Sequence, residues 1–274
     1  MQALAERLGG YVGGAVLESA ELLQFSALKT FAPPLDAFVG ERVEEIGRRG
    51  KYLVFDLGGA RLLIHLSQGG RIEIERPPKR TRPKGAVLRL VFDGPDGSMG
   101  LLVREYGTQR KAGCWTLAPG EDGPLSVLGP EPFDDAFQEL VLSSNDGRRV
   151  HTVLRDQRTI AGIGRGFADD ALHEARLSPY AAMAKLTSEE RASLVTAVRT
   201  VLQRGLASER ERTGGLPAKL PGRFVVHGHH GRPCPRCGET LQRVSYEDYE
   251  IVYCPACQTG GKVLADRRLS RLVK

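Results

Sequence analysis

Four cysteines near the end of the chain form two C-x2-C knuckles, Cys234-Pro-Arg-Cys237 and Cys254-Pro-Ala-Cys257, with sixteen residues between them. Each knuckle is short enough to aim two sulfurs at one point. Two knuckles at this separation suit one tetrahedral zinc ion held by Cys234, Cys237, Cys254 and Cys257 as thiolates. Two disulfides or a pair of redox dithiols would be the other use of the same residues. Four thiolates fill the coordination sphere, so such an ion is structural and offers no position to a substrate. To bring the knuckles face to face the chain must double back. The stretch Leu241–Tyr253 has two β-prone runs around a polar tip, the pattern of a hairpin, so a C-terminal zinc ribbon is expected.

The chain has 274 residues, too many for a ribbon alone and enough for two modest domains with real cores, since 41% of it is hydrophobic. Of its five cysteines, Cys114 lies in an apolar run and reads as a small buried hydrophobe. This cysteine usage suits a reducing cytoplasm. No signal peptide is evident, and no apolar run is long enough to span a bilayer. The net charge is +6, and from Arg223 onward nine Lys/Arg stand against five Asp/Glu. A zinc tetrathiolate removes about two charges from that excess, leaving a mildly basic end to which a polyanion is a plausible partner.

The first residues, Gln2 to Leu8, favour a short helix closed by Gly9-Gly10, with no capping residue ahead of it. From Tyr11 to about Leu117 the pattern is mostly β. The strand-length runs are Val43–Ile46, Tyr52–Leu57, Arg61–Leu66, Arg71–Glu75 and Ala86–Phe92, punctuated by glycine-rich turns, which suggests a sandwich or barrel. Between two of them Arg76–Lys84 is basic and proline-rich, either a solvated mobile loop or a segment that follows a phosphate backbone. Leu117 to Pro132 reads as an interdomain linker. Helical patterns follow over Asp134–Ser143 and from Leu186 to about Ser208, the second with Thr187 as N-cap and Glu190 in the capping-box position. Between these, Val153–Asp170 runs helix, glycine turn at Gly162-Ile-Gly164, then helix. With no strand ahead of the glycines, a helix–turn–helix on nucleic acid fits better than a dinucleotide site.

Together these features resemble the formamidopyrimidine-DNA glycosylase / endonuclease VIII family. The resemblance rests on Arg48-Arg-Gly-Lys-Tyr-Leu53, Ile64-His-Leu66 with Gly69-Gly70, Leu128-Gly-Pro-Glu-Pro132, Ile160-Ala-Gly-Ile-Gly164, and His227-Gly with Gly231-Arg-Pro-Cys234. Leu28-Lys-Thr-Phe31, Gly107-Thr-Gln109 and Gln258-Thr-Gly-Gly261 are similar to an actinobacterial-like branch. The resemblance implies an α+β multidomain fold: an N-terminal β-sandwich over 1–117, a linker at 118–132, a helical helix–two-turn–helix domain over 133–222, and a four-cysteine zinc finger with a basic tail over 223–274. It implies base-excision repair of double-stranded DNA carrying a damaged base or an abasic site, by a monomer in the cytoplasm, at the nucleoid. An N-terminal proline amine attacks C1′ of a flipped-out nucleotide, a glutamate manages protons, and elimination nicks the strand. By the same resemblance Lys51 is the candidate for phosphate contact and elimination. His65, Arg110, Lys111, Arg148 and Arg165 are the candidate DNA contacts, and one zinc ion is the cofactor.

Several positions depart from the family pattern. The family begins P-E-L-P-E-V, and Met1 aligns with the final valine. Activity is therefore expected if an in-frame P-E-L-P-E precedes it, and a damaged-DNA-binding zinc protein without catalysis is the alternative. A zinc-ribbon module serving RNA is a third, weaker reading. After the glycine turn, Arg165 replaces asparagine, with Phe167 and Asp170 following. Tyr249 stands where the finger carries arginine, beside an acidic tip expected to repel phosphate. Gln68 aligns with the methionine that fills the gap left by the flipped base. Ala112, in Arg110-Lys-Ala112, aligns with a phenylalanine wedge that alanine cannot replace.

Overall fold

The computed structural model describes residues 1–107, 110–212, 216, 224–246 and 249–265. Thr108-Gln109, the acidic pair Glu247-Asp248, the 222/223 boundary and the basic tail from Asp266 lie outside them. The chain divides into two compact units: Met1–Ser126 with Arg210–Pro221, and Val127–Glu209 with Gly222–Lys274.

The first unit opens with α1 (Gln2–Val12). The helix does not stop at Gly9-Gly10 as the sequence suggests. It continues through them because Leu8 and Val12, one turn apart, both bury completely, and that burial outweighs the weak helical preference of two glycines. Eight strands follow: β1 (Val16–Leu22), β2 (Val43–Arg49), β3 (Tyr52–Leu57), β4 (Ala60–His65), β5 (Gly70–Glu75), β6 (Ala86–Gly94), β7 (Gly97–Glu105) and β8 (Gly113–Leu117). They form two antiparallel sheets, β1-β6-β7-β5 and β2-β3-β4-β8, a β-sandwich. Its core draws Leu53, Phe55, Leu62 and Ile64 from one sheet and Leu17, Leu88, Leu90 and Leu101 from the other, with Leu8 and Val12 of α1. Cys114 is part of this core; burial pushes its thiol up to about 11, so it is an inert apolar filler.

The proline-rich segment after β5 is tied down. Arg89 on β6, 3% exposed, binds Glu75 at 2.9 Å and Glu21 at 2.9 Å, and donates to the carbonyl of Thr81 at 2.5 Å. Arg82 donates to the carbonyl of Leu23. An arginine is retained inside a sheet because two carboxylates and a carbonyl satisfy its donors.

In the second unit α2 (Asp135–Ser143), α3 (Val150–Arg155), α4 (Arg165–Glu174) and α5 (Ser188–Glu211) pack around Phe137, Val153, Leu154, Ile163, Leu172 and Leu194. The start of α5 is a capping box: Thr187 Oγ1 accepts from the Glu190 amide at 3.2 Å, and Glu190 accepts from the Thr187 amide at 2.9 Å. Residues 129–132 lie along the helices. The Gly129 amide donates to the carbonyl of Gln157 at 3.0 Å, and a Cβ at Gly129 would sit 2.2 Å from the Thr159 carbonyl oxygen, so only glycine allows this approach. After α5 the described residues of the unit form an antiparallel hairpin, β9 (Gln242–Ser245) and β10 (Glu250–Tyr253), and a short helix, α6 (Pro255–Thr259). Among the described residues no helix is long and apolar enough to cross a membrane.

Candidate metal centre and nucleic-acid interface

The first knuckle closes between the hairpin and the chain leading into it. The Cys234 amide donates to the carbonyl of Glu239 at 2.7 Å, and the Gly238 amide returns to that of Cys234 at 2.9 Å. In the second knuckle Cys254 caps α6, with its Sγ accepting from the Cys257 amide at 3.5 Å. The four sulfurs lie within 4.8 Å of one another. Cys237–Cys254 and Cys237–Cys257 are 3.5 Å apart and Cys234–Cys257 is 4.0 Å. Bonded sulfurs would stand about 2 Å apart, so the disulfide alternative fails. Around a tetrahedral ion with Zn–S near 2.3 Å the sulfurs would stand about 3.8 Å apart, so the set fits zinc. Burial pushes the Cys254 thiol far up, and a sulfur so placed is a thiolate only beside a cation.

Around the sulfurs, side chains bind the finger to the helices. His173 Nε2 lies 3.2 Å from Cys234 Sγ, and Arg236 donates to the carbonyl of His173 at 2.6 Å. Gln258 accepts from the Cys254 amide and donates to the carbonyl of Leu177, each at 2.8 Å. Asp170 accepts from the amides of Val225 at 2.7 Å and Val226 at 2.9 Å. Its neighbour Asp169, with no exposed side-chain surface, bonds His151 Nε2 at 3.0 Å, His227 Nδ1 at 2.6 Å and the Val252 amide at 3.1 Å. The sequence reading missed this His–Asp–His bridge, since His151 and His227 carry no local signal of a shared partner.

In the first unit the sheet register collects several candidates. Lys51 sits in the turn from β2 to β3, and His65 ends β4 opposite Tyr52. The His65 ring lies 4.9 Å from that of Tyr52, which meets Trp115 edge-on at 5.3 Å. Burial, with the Lys51 charge adding to it, lowers the His65 pKa, so the ring is neutral at neutral pH. His65 also pairs with Gly113, which places the end of Arg110–Ala112 beside it. Arg110 and Lys111 are exposed, but Ala112 is 2% exposed and faces the core. Glu105 fixes this turn inward by accepting from the amides of Lys111 at 2.7 Å and Ala112 at 2.8 Å. The residue aligned with the wedge therefore fills the interior.

In the second unit Arg148 is bound to Asp146 at 2.6 Å and Asp156 at 2.8 Å, which compensates its charge. Arg165 opens α4, with its guanidinium 4.9 Å from the centre of the Tyr249 ring. Tyr249 also lies under Arg155 at 4.1 Å and stacks on Tyr246 at 4.4 Å, 10° from parallel. Arg149 lies over Tyr180 at 3.6 Å and donates to the Tyr246 hydroxyl at 3.0 Å. Where the sequence reading found only a lost arginine at position 249, the fold seats arginines of the helical segment on the tyrosine.

The sequence matches two family models, the formamidopyrimidine-DNA glycosylase N-terminal domain over residues 1–115 and the formamidopyrimidine-DNA glycosylase H2TH domain over residues 128–214. The formamidopyrimidine-DNA glycosylase of Heliobacterium modesticaldum is 34% identical over 276 residues, covering 94% of this chain and 98% of its own. The chain belongs to the formamidopyrimidine-DNA glycosylase family.

An uncharacterized formamidopyrimidine-DNA glycosylase-like protein of Mycobacterium tuberculosis is 43% identical over 154 residues, 54% of this chain and 95% of its own, in keeping with an actinobacterial-like branch. The crystal structure of MutM (Fpg) from Thermus thermophilus superposes with a TM-score of 0.78 at 29% identity, over 95% of this chain and 97% of the other. A Lactococcus lactis Fpg mutant in complex with DNA containing Fapy-dG superposes with a TM-score of 0.80 at 25% identity, over 94% and 97%. As in this family, the present formamidopyrimidine-DNA glycosylase relative joins an N-terminal β domain to a helical domain and a four-cysteine finger.

Proposed function

We propose that the protein is a base-excision repair DNA glycosylase acting on double-stranded DNA with a damaged base or abasic site. One observation carries this reading: Lys51, His65 and the Arg110-Lys111 turn meet at one end of a sheet, in a fold shared with a relative crystallised on Fapy-dG DNA. Exposed Arg110 and Lys111 supply charge for phosphate, and neutral His65 supplies a hydrogen bond. Lys51 is proposed to hold the phosphate of the damaged nucleotide and assist elimination after an amine has displaced the base at C1′. There the C1′–N bond to the base breaks, a C1′–N bond to the amine forms, and the later loss of the 3′ phosphate nicks the strand. Zinc, when bound by the four cysteines, holds the knuckles together and takes no part in the chemistry. A cytoplasmic location at the nucleoid accompanies this reading, and the protein is proposed to act as a monomer.

The polypeptide as its gene encodes it, incubated with a labelled duplex carrying an oxidised purine or an abasic site, should nick the damaged strand, and borohydride should trap a covalent adduct. Tight binding of the abasic duplex with neither nicking nor trapping would instead establish the binding-only alternative. The interior position of Ala112, where a wedge is expected, favours that second reading.

A further inference from the structure

We propose that Tyr249 is a positioning residue for a phosphodiester-binding row on the helical unit, with Arg149 and Arg155 as the groups that contact nucleic acid. The inference rests on the DNA-binding reading above and names surface that it does not use. Arg149 precedes α3 and Arg155 ends it. Neither takes part in an ion pair among the described residues, whereas Arg148 beside them is held by two aspartates. Each guanidinium instead lies on a tyrosine face, Arg149 on Tyr180 at 3.6 Å and Arg155 on Tyr249 at 4.1 Å, and Arg149 gives one of its donors to the Tyr246 hydroxyl at 3.0 Å. The tyrosines form a connected row: the Tyr246 hydroxyl meets that of Tyr180 at 3.1 Å, and the Tyr246 ring stacks on Tyr249 at 4.4 Å.

A guanidinium attracted through its face keeps its in-plane N–H groups for another acceptor. A carboxylate partner would consume those donors; a tyrosine ring fixes the plane and leaves the charge in place. Two such planes, one at each end of a short helix, offer a polyanion two guanidinium groups, for whose oxygens bidentate arginine is well shaped. All five residues are half-buried, so the side chains lose less freedom on binding than solvated ones would. On this account the finger contributes a rigid aromatic bed and the helical segment contributes the charge.

The test is anisotropy titration of the zinc-loaded protein with a fluorescent duplex carrying a tetrahydrofuran abasic analogue, across a series of salt concentrations. Arg149→Gln and Arg155→Gln should each lower the slope of log affinity against log salt by about 0.9, the value for one lost phosphate contact. Tyr249→Leu should lower the slope at least as much as Arg155→Gln does, since Arg165 rests on the same ring, and Arg155→Gln should add little to it in the double variant. Tyr249→Phe, which keeps the ring, should behave as wild type. Zinc content and far-ultraviolet circular dichroism accompany each variant as checks of folding. Wild-type binding whose slope is unmoved by Arg155→Gln and Tyr249→Leu would overturn the inference and leave the DNA-binding reading standing. Absence of salt-dependent binding by the wild type would overturn both.

Discussion

Asp169 has no exposed side-chain surface and divides its two oxygens among His151, His227 and the Val252 amide. Replacing it with alanine leaves a buried imidazole and a buried amide without their acceptor, so Asp169→Ala should cost about 3–5 kcal/mol in urea unfolding. The two histidines respond oppositely to pH. The Asp169 hydrogen bond raises the His227 pKa, so its contribution to stability is complete below the unfolded value near ~6.5 and is lost as pH rises through the raised native value. Burial lowers that of His151, so its contribution is present above ~6.5 and is lost as pH falls towards the lowered native value. The stability gap between wild type and His227→Gln should therefore narrow from pH 6 to pH 9. A gap that stays constant over that range would show that His227 does not gain its proton affinity from the fold.

The helices of the second unit show which local signals survive folding. The capping box at Thr187 and Glu190 is closed in both directions, and Thr187→Ala should lower the unfolding free energy by about 1 kcal/mol. In α4 a Cβ at Gly166 would stand 2.4 Å from the Phe224 ring, which also meets Phe167 at 5.3 Å and His227 at 5.1 Å edge-on. Gly166→Ala gains helix preference but must push that ring aside, so it should destabilise by about 1–3 kcal/mol, seen as a lower thermal midpoint. A neutral or stabilising result would mean that Phe224 moves freely. Alternation and turns in the sequence mark five strands of the sandwich. They leave out β1, β7 and β8; in β1 the polar pair Glu18-Ser19, where the register shifts at a bulge, interrupts the alternation that would mark a strand.

Asp169, Asp170 and His173 of α4 hold the finger, the histidine at the Cys234 sulfur that the metal would share, so metal and helical unit should stand or fall together. Chelation of zinc should expose four thiols to alkylation and raise amide exchange across α4, while Cys114 stays unreactive until the sandwich unfolds. Alkylation of Cys114 in the folded holoprotein, or unchanged exchange in α4 after metal loss, would contradict this coupling. The cysteine quartet, the capping box and the glycine turn were legible because each acts over a few residues, through spacing that sequence records directly. The sandwich was legible in outline through alternation and turns. What the fold alone decided is which distant residues share a partner: Ala112 turned inward by Glu105, Arg148 neutralised by two aspartates, Arg155 laid on Tyr249, and two histidines joined by Asp169. Hydrogen bonds and ring contacts fall off within a few ångströms, and only the folded backbone brings positions scores of residues apart to that range.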